Sequence, residues 1–226
     1  VGTSSAPTLT ARVYDALRAD VLAGRLAPGS RLRLVELAAR FSVSQSVVRE
    51  ALARLSQQRL VVALPQQGFR VAPLSVEDLT RLTDARKQLE GLVLRLSVER
   101  GDVAWESAVV AAHHQLERTP MYTETGEPNE EWLASHEKFH AALLAGCGNV
   151  LLTELAEGLR ESAALYRVWS VPIGHDYDRD LPQEHRELLA AVLDRDPDTA
   201  VELMHRHIQH TTDVLLSVAD QYSATS

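Results

Sequence analysis

Cysteine is nearly absent from this chain. One residue, Cys147, stands alone among 226, so no internal disulfide can form and nothing calls for an oxidising compartment. Aromatic residues make up only 5%, which suits a core packed from alanine and leucine on helices. No run approaches the ~20 apolar residues of a membrane span. The opening VGTSSAPT lacks the charged-then-apolar plan of a signal peptide and reads as a loose leader over residues 1–8. The expected location is the cytoplasm, with no membrane partner. Lysine is missing from the first 74 residues, yet ten arginines stand there against Asp15, Asp20, Glu36 and Glu50. That head carries +6. With −8 for the whole chain, the remainder carries −14. A basic head on an acidic body is the asymmetry expected when only the head meets phosphate.

The head is organised around residues 34–71. Leu34, Leu37, Ala38 and Phe41 recur at helical spacing. Ser42-Val43-Ser44 breaks the pattern, and Ser44 is a good N-cap, because its hydroxyl can accept from an otherwise orphan backbone N–H. The helical period resumes at Gln45, with Val47, Val48, Ala51, Leu52 and Leu55 turned inward and Gln45, Ser46, Arg49 and Arg54 outside the stripe. Two helices joined by a few residues make a helix-turn-helix, whose second helix lies in the major groove. Leu60–Leu64 is β-prone, Pro65-Gln66-Gln67-Gly68 is a turn, and Phe69-Arg70-Val71 returns as a strand. A hairpin after a recognition helix is a wing. A first helix over 9–26 precedes all this.

The run PGSRLRLVELAARFSVSQSVVREAL, followed by LV and then PQQGFRV, resembles the winged helix-turn-helix of GntR-superfamily transcription regulators over most of residues 9–74. The resemblance implies that double-stranded DNA is met by the start of the recognition helix and by the wing tip. The expected contact set is Arg33, Ser44, Gln45, Ser46, Arg49 and Gly68. Gln45 stands where the family often has arginine. Arginine favours guanine, whereas glutamine can pair with adenine, so the preferred operator should differ from the common family site.

Pro73-Leu74-Ser75 marks a domain boundary. Beyond it the pattern is helical throughout: 75–100 with Leu79, Leu82, Leu89, Leu92, Val93 and Leu96 inward, then 103–118, 130–145, 149–169, 178–194 and 197–221. Breakers at Pro120, Gly126, Pro128 and Pro172 separate them. The fold class is therefore mainly α: an N-terminal winged helix-turn-helix, then an all-α bundle of six to seven helices over 75–222.

Nine histidines dot the body. His136 and His140 are four apart and share a helix face. His185 and His207 lie on later helices. Neutral imidazole is the commonest transition-metal ligand, and facing helices of a bundle can close a site in its core. His113, His114, His175, His205 and His210 read as surface or satisfied core residues. HEKFHAALLAGCGN, with EHRELLAAVLDRDPDTAVELMHRHI, resembles the effector-binding domain of FadR-type GntR regulators (the FCD domain). That resemblance implies dimerisation through the body, a small carboxylic-acid effector, and a metal site built from Asp-x-x-x-His plus two later histidines. His140, His185 and His207 fit the histidine positions, and His136 replaces the aspartate. Four imidazoles without a carboxylate favour zinc, with nickel or copper as alternatives, over manganese or magnesium. ARKQLEGLVLRLSVER matches the family's Arg-x-x-x-Glu. Arg86 is thus a candidate clamp for the effector's carboxylate, or else an intrahelical partner of Glu90.

His136-Glu137-Lys138-Phe139-His140 also satisfies H-E-x-x-H. In zinc hydrolases the glutamate of that motif is the general base. The extended form fails at Leu143 and Gly146, leaving Glu154 or Glu157 as possible third ligands. Glu137 is expected to face solvent, and the enzyme stands as the alternative to the regulator. A scaffold that binds DNA constitutively is a third possibility.

Overall fold

The structure, a computed structural model, describes residues 8–124, 128–171, 173–176 and 178–223. The leader before residue 8 and the breaks read at Gly126 and Pro172 lie outside the described residues. Two compact units result. One takes in residues up to 76, with 168–174 and the end of the chain from 215; the other holds 77–167 and 175–214.

The first unit opens with α1 (Leu9–Leu22), capped by Thr8, whose side chain accepts from the Ala11 N–H. It stops four residues short of the expected end, where Gly24 turns the chain at φ +70°. β1 (Arg31–Leu32), α2 (Leu34–Phe41), α3 (Gln45–Gln57), β2 (Val61–Leu64) and β3 (Gly68–Val71) follow. Ser44 caps α3 by accepting from the Val47 N–H. Val48, Ala51, Leu52 and Leu55 are buried, while Val47 is only partly so. The wing has three strands in the order β1-β3-β2, all antiparallel, rather than a lone hairpin. β1 is two residues long, too short for an alternating pattern to announce it. At the wing tip Leu64 pairs with Gly68, whose φ of +88° belongs to glycine. Asp20 is buried on α1 and receives Arg25 and Arg40 at 2.7 Å each, which ties α1 to α2. Within this unit the buried Trp169 indole donates to the Val21 carbonyl at 2.8 Å.

The second unit is helical: α4 (Val76–Arg100), α5 (Val103–Arg118), α6 (Glu130–Leu144), α7 (Val150–Ser162), α8 (Ala164–Trp169), α9 (Leu181–Leu193) and α10 (Pro197–Ser223), with the outer parts of α8 and α10 counted in the first unit. Asp102, Asn129, Asn149 and Asp180 cap α5, α6, α7 and α9 through their side chains. The helix expected over 149–169 is two, parted at Ala163. Val93, Leu94, Val109, Phe139, Leu143, Leu188, Met204 and Ile208 form the heart of the core.

The expected inward stripe of α4 holds in part: Leu79 and Val93 are buried, and Leu89 and Leu96 are half-buried against the core, but Leu92 is 47% exposed and Leu82 only half-buried. The buried face runs through Leu79, Thr83, Arg86, Glu90, Val93, Leu94 and Ser97. Thr83, Glu90 and Ser97 meet polar groups of α10, α7 and α6, and Arg86 meets Glu90 on α4 itself, so hydrophobicity alone does not mark this face. Gly91 lets α10 come close, since a Cβ there would sit 2.6 Å from His205 Nε2.

Candidate metal centre and DNA-binding surface

α6 carries His136 and His140 one turn apart, α9 carries His185, and α10 carries His207. All four are buried, and one nitrogen from each lies within 4.8 Å of the others. The His136 and His140 rings are 4.5 Å apart, those of His140 and His207 4.8 Å, and those of His185 and His207 5.2 Å. Among the described residues this is the group of histidine, cysteine and acidic side chains arranged to hold a metal ion. Both ring nitrogens of His140, and Nε2 of His185, are buried without a hydrogen-bond partner. An unsatisfied buried polar group costs about 1–3 kcal/mol, so these rings sit at a disadvantage that a metal ion would reduce by taking the lone pair of one nitrogen in each. The donor set is four neutral nitrogens with no carboxylate, which fits a borderline transition ion such as zinc or nickel.

Burial pushes every ring toward its neutral, metal-ready form. His136 falls to about 4, with burial first and the neighbouring Glu137 opposing. His140, His185 and His207 are driven further down, again chiefly by burial; Arg160 adds to this at His140, His136 at His185 and Arg179 at His207. The Trp132 indole stacks on His136, with centroids 5.0 Å apart.

Beside the cluster runs a chain of ion pairs, of which sequence reading offered only the link between Arg86 and Glu90. Arg86 Nε donates to Glu90 Oε1 at 2.6 Å, and both residues are buried. Glu90 also accepts from Arg160 at 3.4 Å, Arg160 reaches Glu137 at 3.0 Å, and Arg167 pairs with the same carboxylate. Arg86 is therefore the buried partner of Glu90 and not a surface helix pair. Its Nε side is taken by Glu90, while Nη1 has no partner among the described residues.

This geometry corrects the reading of Glu137. It does not face solvent freely: its side chain is 43% exposed and both oxygens are held by arginine. Burial alone would raise its pKa, yet His136, Arg167 and Arg160 hold it well below the usual carboxylate range. A carboxylate so stabilised is a poor general base. Glu154 and Glu157 stand outside the histidine cluster. The remaining histidines are accounted for locally: His113 lies edge-on to Phe139, His205 Nε2 meets the Lys87 carbonyl, His210 meets Asp176, and His114 and His175 are exposed.

In the other unit, Ser44, Gln45, Ser46 and Arg49 are all exposed on the first turns of α3. Arg49 makes no ion pair among the described residues, whereas Arg33, at the start of α2, pairs with Glu36 at 3.0 Å. Arg54, further along α3, lies over the Tyr14 ring at 4.2 Å. Gly68 sits at the wing turn.

A winged helix-turn-helix joined to a separate helical unit is the architecture of a two-domain transcription regulator. The profile described as "Bacterial regulatory proteins, gntR family" matches residues 9–71, and that of the FCD domain matches 81–210. The HTH-type transcriptional repressor GlaR of Escherichia coli K12 is 35% identical over 198 residues, covering 86% of this chain and 90% of that protein. The uncharacterized HTH-type regulator BphR of Paraburkholderia xenovorans LB400 is 33% identical over 210 residues, covering 92% and 85%. The crystal structure of a GntR-family regulator from Pseudomonas syringae pv. tomato DC3000 aligns with a TM-score of 0.54 and 27% identity, over 96% of this chain and 88% of that one. The chain belongs to the GntR family of transcription regulators and carries an FCD domain. Its relatives are regulators and not enzymes, and with Glu137 bound by two arginines the hydrolase alternative falls.

Proposed function

We propose that this protein represses or activates transcription from an operator under the control of a small organic acid bound at a metal ion in the helical domain. The observation that carries the reading is His140, fully buried with both ring nitrogens unpartnered, among three other buried histidines. His136, His140, His185 and His207 would hold a divalent transition ion, zinc by preference and nickel as the alternative. The ion supplies a Lewis-acidic centre for an oxygen ligand. Arg86, with its Nε side fixed by Glu90, would offer its remaining N–H groups to the carboxylate of the effector.

Residues 9–74 would bind double-stranded DNA, with Ser44, Gln45, Ser46 and Arg49 at the major groove, Gly68 at the wing tip, and Arg33 on the backbone. Residues 75–222 would bind the effector and form a homodimer, so that two heads meet half-sites about one helical turn (~34 Å) apart. The exposed Val150, Leu151 and Leu155 on one stretch of α7 support self-association of this domain. A regulator of this kind works in the cytoplasm, and no described helix is long and apolar enough to cross a membrane.

The test is operator binding by the metal-loaded chain across a panel of small carboxylic acids. At least one acid is expected to shift the operator affinity of the wild type and to leave Arg86→Ala unmoved, although that variant still binds metal and DNA. A wild type indifferent to every acid, or an Arg86→Ala protein that responds with wild-type affinity, would contradict it.

A further inference from the structure

Of the four clustered histidines, His207 has the second nitrogen of its ring held by a carboxylate. Its Nδ1 lies 2.7 Å from Glu184 Oε2. Glu184 is in turn gripped by Arg179, Nε to Oε1 at 2.8 Å and Nη2 to Oε2 at 2.7 Å. The same guanidinium donates to the backbone carbonyl of His207 at 3.0 Å and to Thr211 Oγ1 at 3.2 Å, and Asp176 lies 3.9 Å away. Its Nη2 also lies 3.2 Å from His207 Nδ1, but the carboxylate at 2.7 Å is the closer partner of that nitrogen and can only accept, which places the proton on Nδ1. Arg179 is 5% exposed and His207 6%, with Glu184 at 30% on the outer side, so the carboxylate is held against the interior by buried partners. It joins the residue before the α9 cap to the first turn of α9 and the middle of α10.

We infer that Glu184, locked by Arg179, is the positioning residue of the metal site: it fixes the His207 imidazole as the Nδ1–H tautomer and aims the Nε2 lone pair into the histidine cluster. A metal-ligating imidazole commonly donates its other N–H to a carboxylate, which orients the ring and raises its basicity. The need is greater here than in a site with an acidic ligand. His136 brings no charge to the centre, so the anionic partner of the ion must stand one layer out. Two carboxylates adjoin the cluster: Glu137 lies 3.7 Å from His136 Nδ1 with its oxygens shared by Arg160 and Arg167, whereas Glu184 makes the close contact, 2.7 Å to His207 Nδ1. Arg179 explains why the carboxylate stays there. It occupies both oxygens from one side and anchors the His207 backbone from the other, so ring and carboxylate move as one body. The contrast with His140 is direct, since no protein group sets the tautomer of that ring.

This inference rests on the metal reading above, and its test separates the two. Zinc affinity of the full-length, tag-free protein is measured by chelator competition, for wild type and Glu184→Gln. A ten- to hundred-fold loss is expected, the usual consequence of removing such a partner. Wild-type binding with Glu184→Gln within two-fold of it overturns the positioning role alone. A wild type that takes up no zinc overturns the metal reading and this inference with it. Should the variant not fold, the wild type decides by nitrogen NMR of its histidines. His207 is expected as the Nδ1–H tautomer without metal and as the Nε2-bound ligand with zinc. An Nε2–H tautomer, or zinc on Nδ1, overturns the inference, and a purely structural salt bridge would move neither signal.

Discussion

Glu90 stands between Arg86 at 2.6 Å and Arg160 at 3.4 Å, with all three side chains at 5% exposure or less. A carboxylate shared by two buried guanidiniums holds α4 to α7 beside the histidine cluster. Removing it would leave two buried positive charges facing each other. Glu90→Ala is therefore expected to cost about 3–5 kcal/mol of unfolding free energy, the range for breaking a buried pair from one side. Urea denaturation checks this. Glu137→Ala is expected to cost less, because that carboxylate is 43% exposed and screened by solvent. Equal losses in the two variants would count against the buried network as described.

Arg49→Ala is expected to weaken operator binding and to reduce the slope of log affinity against log salt by about 1, because one phosphate contact and its released counterion are lost. Fluorescence anisotropy at several salt concentrations gives both numbers. Unchanged affinity and slope would remove α3 from the DNA surface as placed.

Gln45→Arg should change which base is preferred and leave overall DNA affinity similar. A glutamine pairs bidentately with adenine and an arginine with guanine, each worth about 1–3 kcal/mol of discrimination. Selection from a randomised operator pool is expected to return adenine for the wild type and guanine for the variant at one position of each half-site.

Helix α3 of the head was legible because its signals are local. Ser44 caps within three residues, and the Val48, Ala51, Leu52, Leu55 stripe repeats at helical period. His136 and His140 were legible for the same reason, as two rare side chains one turn apart. Their union with His185 and His207 was legible only through family resemblance, since no local pattern links α6 to α9 and α10. The supporting shell was not legible at all. Arg160, Arg167, Arg179 and Glu184 are ordinary charged residues on helices or in a loop, and only the tertiary structure reveals that they point inward. On α4 the apolar positions were legible except Leu92, and the polar half of the buried face was not, by the converse logic. Leu92 is apolar and exposed while Glu90 is charged and fully buried, because ion pairing can outweigh the usual ranking of side chains.

The metal-free protein should lose stability as pH falls. The four clustered histidines have folded pKa values depressed by burial, His136 to about 4, against about 6.5 when unfolded. Below pH 6.5 the unfolded chain binds protons that the folded chain refuses, so stability present above that value drains away on acidification. The slope approaches about 1.4 kcal/mol per pH unit for each histidine that stays neutral. Thermal melts of chelator-treated protein from pH 7.5 to 5 check the sign. A melting temperature that rises on acidification over that window would contradict the burial of the cluster.

The most direct measurement is bound metal per chain, on tag-free protein after zinc or nickel add-back, for wild type, His140→Ala and His207→Ala. About one ion per chain in the wild type, lost in both variants that remain folded, is the expected result. A wild type that stays metal-free after add-back, or two folded variants that keep their ion, would contradict a metal centre built from His136, His140, His185 and His207.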